Sequence, residues 1–203
     1  LQAPDAENQA LACRRLDLIN RFYTVYLNLV LTDVTGRVVA TSKPGVFPAC
    51  AGGNVAGERW FRQAMATASG NDYVVDDIRN CSLHSHAPVA VYAAAVRENG
   101  DIEGPVIGTL GVYFDWGEQS RCIVQDEPGL SREEWARTRV LLLDSGHRVI
   151  AASDNSGLLQ PFPLAAGNES KGAYYDQEGN VVAFARTIGY QEYDGLGWYG
   201  AIV

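Results

Sequence analysis

The spacing of apolar positions changes period twice in the first 45 residues. Over residues 5–23, Leu11, Leu16, Leu18, Ile19 and Phe22 recur near every 3.6 positions among frequent alanines, which predicts an amphipathic helix. Asp5, just after Pro4, is placed to cap its start. Residues 25–31 are apolar and β-rich, Asp33-Val34-Thr35-Gly36 is a turn signature, and residues 37–42 form a second strand, so this stretch is a hairpin. Residues 45–57, rich in Gly and Pro, read as a loop. Helical spacing returns over residues 58–68, with Trp60, Phe61, Ala64 and Met65 on one side. A short strand at 73–75, a polar loop at 80–86, a strand at 87–96, a turn at Asn99-Gly100-Asp101 and a strand at 106–114 follow. A further helix begins near Trp116 or Gly117.

After Ser131 the pattern restarts. Leu31, Asp33, Arg37, Val38, Ala40 and Ser42 recur as Leu142, Asp144, Arg148, Val149, Ala151 and Ser153, at a constant offset of 111 positions. Residues 91–96 have a loose counterpart in 181–187, and Gly108-Thr109-Leu110-Gly111-Val112-Tyr113 is echoed by Gly195-Leu196-Gly197-Trp198-Tyr199. A repeat of this length means duplicated domains and not a solenoid. The order of elements predicts an α+β chain of two modules, each an antiparallel sheet of about five strands with flanking helices. The second module lacks a clear equivalent of the Trp60 helix.

Charge narrows the function classes. Sixteen basic against 24 acidic residues give a net charge of -8, which argues against a nucleic-acid partner and against docking on anionic lipid. No apolar run approaches the ~18–20 residues needed to span a bilayer, and no signal peptide is visible. Both ends look cut from a longer protein, so any membrane attachment would lie in segments outside this chain. The cysteines Cys13, Cys50, Cys81 and Cys122 contain no CxxC pair. Cys50 and Cys81, both in loop-like sequence, are the more plausible disulfide pair, and free thiols are the alternative.

Enzyme signatures are missing: there is no GxSxG, HExxH or P-loop. Gly195 to Gly200 matches GxGxxG as a string, but no clean strand precedes it and no helix can follow. Neither an enzyme nor a bound cofactor is therefore expected. Cys81, His84 and His86 form the one metal-like cluster, with a spacing unlike standard zinc sites. Aromatic and acidic residues concentrate in the first module. By alternation Tyr73, Val75 and Asp77 share one strand face, and Tyr113 and Asp115 share another. An aromatic box with carboxylates suits an amine, a guanidinium or a nitrogen heterocycle. Ordinary core packing is the competing explanation for Trp60 and Phe61, and helix capping for Asp115.

These pieces together resemble the double Cache domain, the extracytoplasmic sensor of bacterial chemoreceptors and of related kinases and cyclases. The repeated hairpin, Arg59-Trp60-Phe61-Arg62-Gln63-Ala64, Gly108 to Trp116, and Gly189-Tyr190 through Gly197-Trp198-Tyr199 carry the resemblance, over about residues 11–203. It implies a long N-terminal stalk helix (1–26), a membrane-distal PAS-like module with the ligand pocket (27–117), and a linker helix with a membrane-proximal module (118–203). It also implies a periplasmic location, a homodimer in the full receptor and a small-molecule ligand. The implied pocket comprises Glu58, Arg59, Trp60, Phe61, Tyr73, Val75, Asp77, Tyr92, Tyr113 and Asp115. Two departures stand out: the helix arginine of the amino-acid-binding members falls at Glu58, and their strand aspartate at Tyr113. Loss of the carboxylate clamp favours an amine or a nitrogen heterocycle as ligand. A metal-, haem- or redox-linked sensor, and the sensor of a histidine kinase or diguanylate cyclase, are the alternatives.

Overall fold

The computed structural model describes residues 5–188 and 195–203. Helix α1 (Ala6–Phe22) starts where Asp5 accepts the Asn8 N–H at 2.8 Å, satisfying one of the unpaired amides of a first turn. Its inner side lies on the first sheet, with Leu16 against Leu29 and Ala40. The helix is 17 residues long, so the long stalk is present only in part. No helix among the described residues is long and apolar enough to cross a membrane.

The first sheet contains β1 (Tyr26–Asp33), β2 (Val38–Thr41), β3 (Val74–Cys81), β4 (Ala87–Arg97) and β5 (Val106–Asp115), with helix α2 (Arg59–Met65) between β2 and β3. Helices α3 (Trp116–Arg121) and α4 (Arg132–Trp135) lead to β6 (Val140–Leu143), β7 (Val149–Ala152), β8 (Lys171–Tyr175), β9 (Val181–Arg186) and β10 (Tyr199–Ile202). Ser131 and Glu134 close a reciprocal capping box on α4. Both sheets are antiparallel, in the orders β2-β1-β5-β4-β3 and β7-β6-β10-β9-β8. The second order is the first with every label raised by five. The chain divides into two compact units, one ending at Trp116 and one beginning at Gly117.

The repeat extends to individual hydrogen bonds. Asp33 Oδ1 accepts the N–H groups of Thr35 and Arg37 at 2.8 and 3.1 Å, and Asp144 Oδ1 those of Gly146 and Arg148 at 2.9 and 2.8 Å. Side chains of this type bond their own backbone two residues on and so hold the turn. Gly36 (φ 78°) and His147 (φ 62°) take the same left-handed place. Glycine is required only at the first, where a Cβ would lie 2.6 Å from Ala56 N. Ser42 Oγ accepts the Leu29 N–H at 2.9 Å, and Ser153 Oγ the Val140 N–H at 3.0 Å.

Three sequence expectations shift. Strand β3 runs on to Cys81, through part of the expected polar loop. Between β7 and β8 the chain forms no helix, so the helical flank differs between modules. The echo between residues 108–113 and 195–199 is out of register: Val30 pairs with Gly111 and Leu141 with Ala201, so Ala201 is the counterpart of Gly111, and the Gly195–Gly197 pattern precedes the strand. Residues 189–194 of the resemblance lie outside the described residues.

Candidate functional site

The α2 face of the first sheet is where the predicted chemistry concentrates. In α2, Trp60, Phe61 and Ala64 fall on one helical side and are buried, while Arg59 and Arg62 point to solvent. Trp60 descends onto β5 because Gly111 has no side chain there: a Cβ would sit 2.9 Å from Trp60 Cη2. The indole meets the Tyr113 ring edge-on at 6.0 Å and Phe61 at 6.1 Å. Trp60 is fully buried, yet its Nε1–H has no hydrogen-bond partner among the described residues. An unmade bond of this kind costs about 1–3 kcal/mol.

Charge gathers at the start of α2. Arg79 of β3 donates from Nη2 to Glu58 and from Nε to Asp76 Oδ2 at 3.0 Å. One guanidinium therefore neutralises part of two carboxylates. Asp76, not Asp77, is the carboxylate on this face: it alternates with Val74, which packs against the Trp60 cluster, and it pairs with Val91 ahead of the register slip that follows. Asp77 Oδ1 instead accepts the N–H of Ile78 at 2.7 Å. Asp115 is half-buried at the end of β5, opposite Val89.

Part of the predicted pocket lies on the other face. Tyr92 pairs with Val112 and Val75 with Tyr92. The Tyr92 ring meets Phe114 at 5.0 Å, Phe114 meets Tyr26 at 5.1 Å, and Tyr73 stacks on Tyr92 at 6.4 Å. Tyr26 and Val112 pack on the α1 side, so Tyr73, Val75 and Tyr92 are separated from Trp60 by the thickness of the sheet. Alternation along a strand gives shared faces but not which face is which. The structure thus groups Glu58, Trp60, Phe61, Tyr113 and Asp115, and sets Tyr73, Val75 and Tyr92 apart.

The weak metal cluster also regroups. His84 is fully buried, whereas His86 is exposed. Cys81 Sγ lies 3.1 Å from His84 Nδ1, and Cys50 Sγ lies 3.3 Å from Nε2 on the opposite side of the ring. Both thiols are free, and the imidazole stands between them instead of a disulfide. Burial pushes the Cys50 thiol up to about 12 and the Cys81 thiol up as well, so neither has thiolate reactivity. No group of three or more His, Cys, Asp or Glu among the described residues is placed to hold a metal ion. Burial, with the nearby Arg79, pushes His84 down to about 4, so the ring is neutral at pH 7.

Asn28 completes this cluster without being expected, and Cys50, expected to pair with Cys81, meets the His84 ring instead. Asn28 Oδ1 accepts from Thr41 and its Nδ2 reaches His84 Nε2 at 2.9 Å. A lone Asn in the apolar run from Tyr26 to Leu31 was the available signal, since a buried amide needs partners. Nothing in the sequence directed Cys50 to His84, because its contacts lie 22 to 34 positions away.

The second unit presents a different surface on the equivalent face. A cleft of about 650 Å³ is lined there by Arg139, Phe162, Tyr174, Asp176, Glu178 and others. Arg139 is already engaged, with Asp154 at 3.0 Å and Ser156 at 2.8 Å.

No family model and no curated protein matches the chain. Solved structures do. The sensor domain of the Vibrio cholerae histidine kinase DctB superposes with a TM-score of 0.69 at 14% identity, covering 98% of this chain and 79% of that one. The ligand-binding domain of Mlp24 with asparagine gives 0.68 at 16% identity, covering 98% and 76%. That of the Pseudomonas aeruginosa amino-acid chemoreceptor PctC, in complex with GABA, gives 0.66 at 16%, covering 100% and 82%. With the duplicated five-stranded sheet already established, these likenesses identify the fold of this chain as that of the double Cache sensor domains.

Proposed function

We propose that this chain is the extracytoplasmic ligand-binding module of a transmembrane receptor, and that its first unit takes the ligand on the α2 face. It carries out no chemistry; a ligand with different affinity for two conformers shifts their populations. The observation that carries the reading is the buried, unpartnered Trp60 Nε1–H in a fold whose similar structures include domains bound to asparagine and GABA. The ligand class favoured is an amine or a nitrogen heterocycle. Glu58 occupies the place of the carboxylate-clamping arginine, and Asp76 and Asp115 add two more acids on the same face. Arg79 already serves Glu58 and Asp76, so a carboxylate ligand would have to displace both. In the full receptor the partner is a second copy, for which α1 offers the exposed side chains of Leu18 and Phe22.

The test is a thermal-shift panel of amines, nitrogen heterocycles, amino acids and small carboxylates on the wild type and on Trp60→Phe, which keeps the ring and removes the N–H. A ligand at ~100 times its dissociation constant adds about 2.7 kcal/mol. The expected result is a hit that Trp60→Phe weakens at least tenfold. A hit of equal strength on both proteins, or no hit at all, would overturn the assignment.

A further inference from the structure

The turn between β3 and β4 carries His84, which the reading above leaves unused. Ser82–His84 make one 3-10 turn, and Ser85 and His86 then both adopt left-handed backbone, at φ 56° and 60°. Two successive non-glycine residues in that region are held there at an energetic cost. What they hold is an imidazole in the interior.

That imidazole has a full set of partners. Tyr113 lies 4.3 Å from it, tilted by 39°, and Phe47 meets it edge-on at 4.8 Å. Asn28 is oriented by its own contacts: Oδ1 is 2.8 Å from both the Thr41 and the Ser42 hydroxyls. Its Nδ2 must then donate to His84 Nε2 at 2.9 Å. With Nε2 accepting, the proton of the neutral ring sits on Nδ1 and points at Cys81 Sγ, 3.1 Å away.

We infer that the His84 imidazole occupies a binding position for a ligand of the same chemistry, a neutral planar nitrogen heterocycle with an acceptor nitrogen and an N–H across the ring. Ligand entry expels the 82–86 turn. The inference rests on the reading of the first unit as the ligand-binding one, and it selects the heterocycle over the amine. A cation there would meet Arg79 and full burial, whereas a neutral ring finds two aromatic neighbours, an amide donor and a sulfur acceptor already in place. Release of the strained turn favours exchange. The apparent affinity is reduced by the fraction of molecules with the turn in place.

The test uses His84→Gly with free imidazole as probe. Imidazole is expected to raise the melting temperature of His84→Gly saturably, and that of the wild type at least tenfold less at equal concentration. Equal shifts in both proteins, or none in either, would overturn the inference. Should His84→Gly fail to fold, the wild type supplies its own readout in alkylation of Cys50 and Cys81 by iodoacetamide. A displaceable turn exposes both thiols without global unfolding. Labelling is then at least tenfold faster than global unfolding, and Ser85→Gly, which relaxes the turn and keeps the imidazole, slows it about fivefold. Labelling only at the global unfolding rate, or unchanged by Ser85→Gly, contradicts the inference. Neither arm depends on Trp60. A Trp60-dependent ligand without imidazole rescue removes the plug alone, and rescue without any Trp60-dependent ligand removes the wider reading alone.

Discussion

The two units build the same five-stranded ladder and fill its equivalent faces by opposite means. In the first, the central positions of the sheet are small, Ala93 opposite Gly111, and the bulk comes from outside: Trp60 from α2, Phe47 from the loop after β2, and His84 from the turn after β3. In the second, the same register positions are Phe184 opposite Ala201, so the sheet supplies its own large ring and no helix covers it. Register also equates Asn28 with Arg139 and Tyr113 with Val203. A buried amide beside a buried ring in one unit becomes a half-exposed guanidinium beside a cleft of about 650 Å³ in the other. A face filled by peripheral segments can open when those segments move. A face filled by its own strands cannot, and here it is open already. Under the proposed function, gating by a ligand is assigned to the first unit.

The largest expected effect breaks that comparison directly. Trp60→Ala should destabilise the first unit by about 3–5 kcal/mol and leave the second unchanged; Phe184→Ala should do the reverse. Hydrogen exchange resolved by unit checks both. Acid should separate the units next. His84 titrates near 6.5 when unfolded and is pushed down to about 4 in the fold. The unfolded chain therefore binds more protons between those values, and the first unit loses roughly 3 kcal/mol as pH falls from about 6.5 to about 4. In His84→Gln this slope should disappear, as followed by denaturant titration at each pH.

Smaller changes probe how each face is filled. Gly111→Ala sets a methyl against the Trp60 ring and should cost about 1–3 kcal/mol. The reciprocal Ala201→Gly should cost no more than about 1 kcal/mol. Ser42→Ala, which frees a buried Leu29 N–H and disturbs Asn28, is expected to cost about 2 kcal/mol, and Ser153→Ala about 1 kcal/mol. Equal costs at these two serines would mean that the polar cluster around Asn28 adds nothing to the first unit.

Much of the architecture was legible because it is local. The hairpins follow from apolar alternation interrupted by Asp33 and Asp144, whose carboxylates do bind the turn amides two and four residues on. Helix α2 followed from the spacing of Trp60, Phe61 and Ala64. The faces of the first sheet were legible only by half. Alternation grouped Tyr73, Val75 and Asp77 but carries no sign: Val75 pairs with Tyr92 on the face away from Trp60, and Asp76, which alternates with Val74, is the carboxylate on the α2 side. Matching glycines by type misplaced the β10 echo, which the ladder register sets at Ala201. Cys50 and Arg79 act across 34 and 21 positions, and no local pattern reports such pairings.

The central claim is that the first unit takes the ligand on the face under α2. Hydrogen exchange of the wild type, with and without the strongest compound from the thermal-shift panel, tests it most directly. Added protection in α2, β4 and β5 is the predicted result. Protection confined to the second unit, around Phe162, Tyr174 and the β8–β9 hairpin, would contradict it and move the ligand to the open cleft.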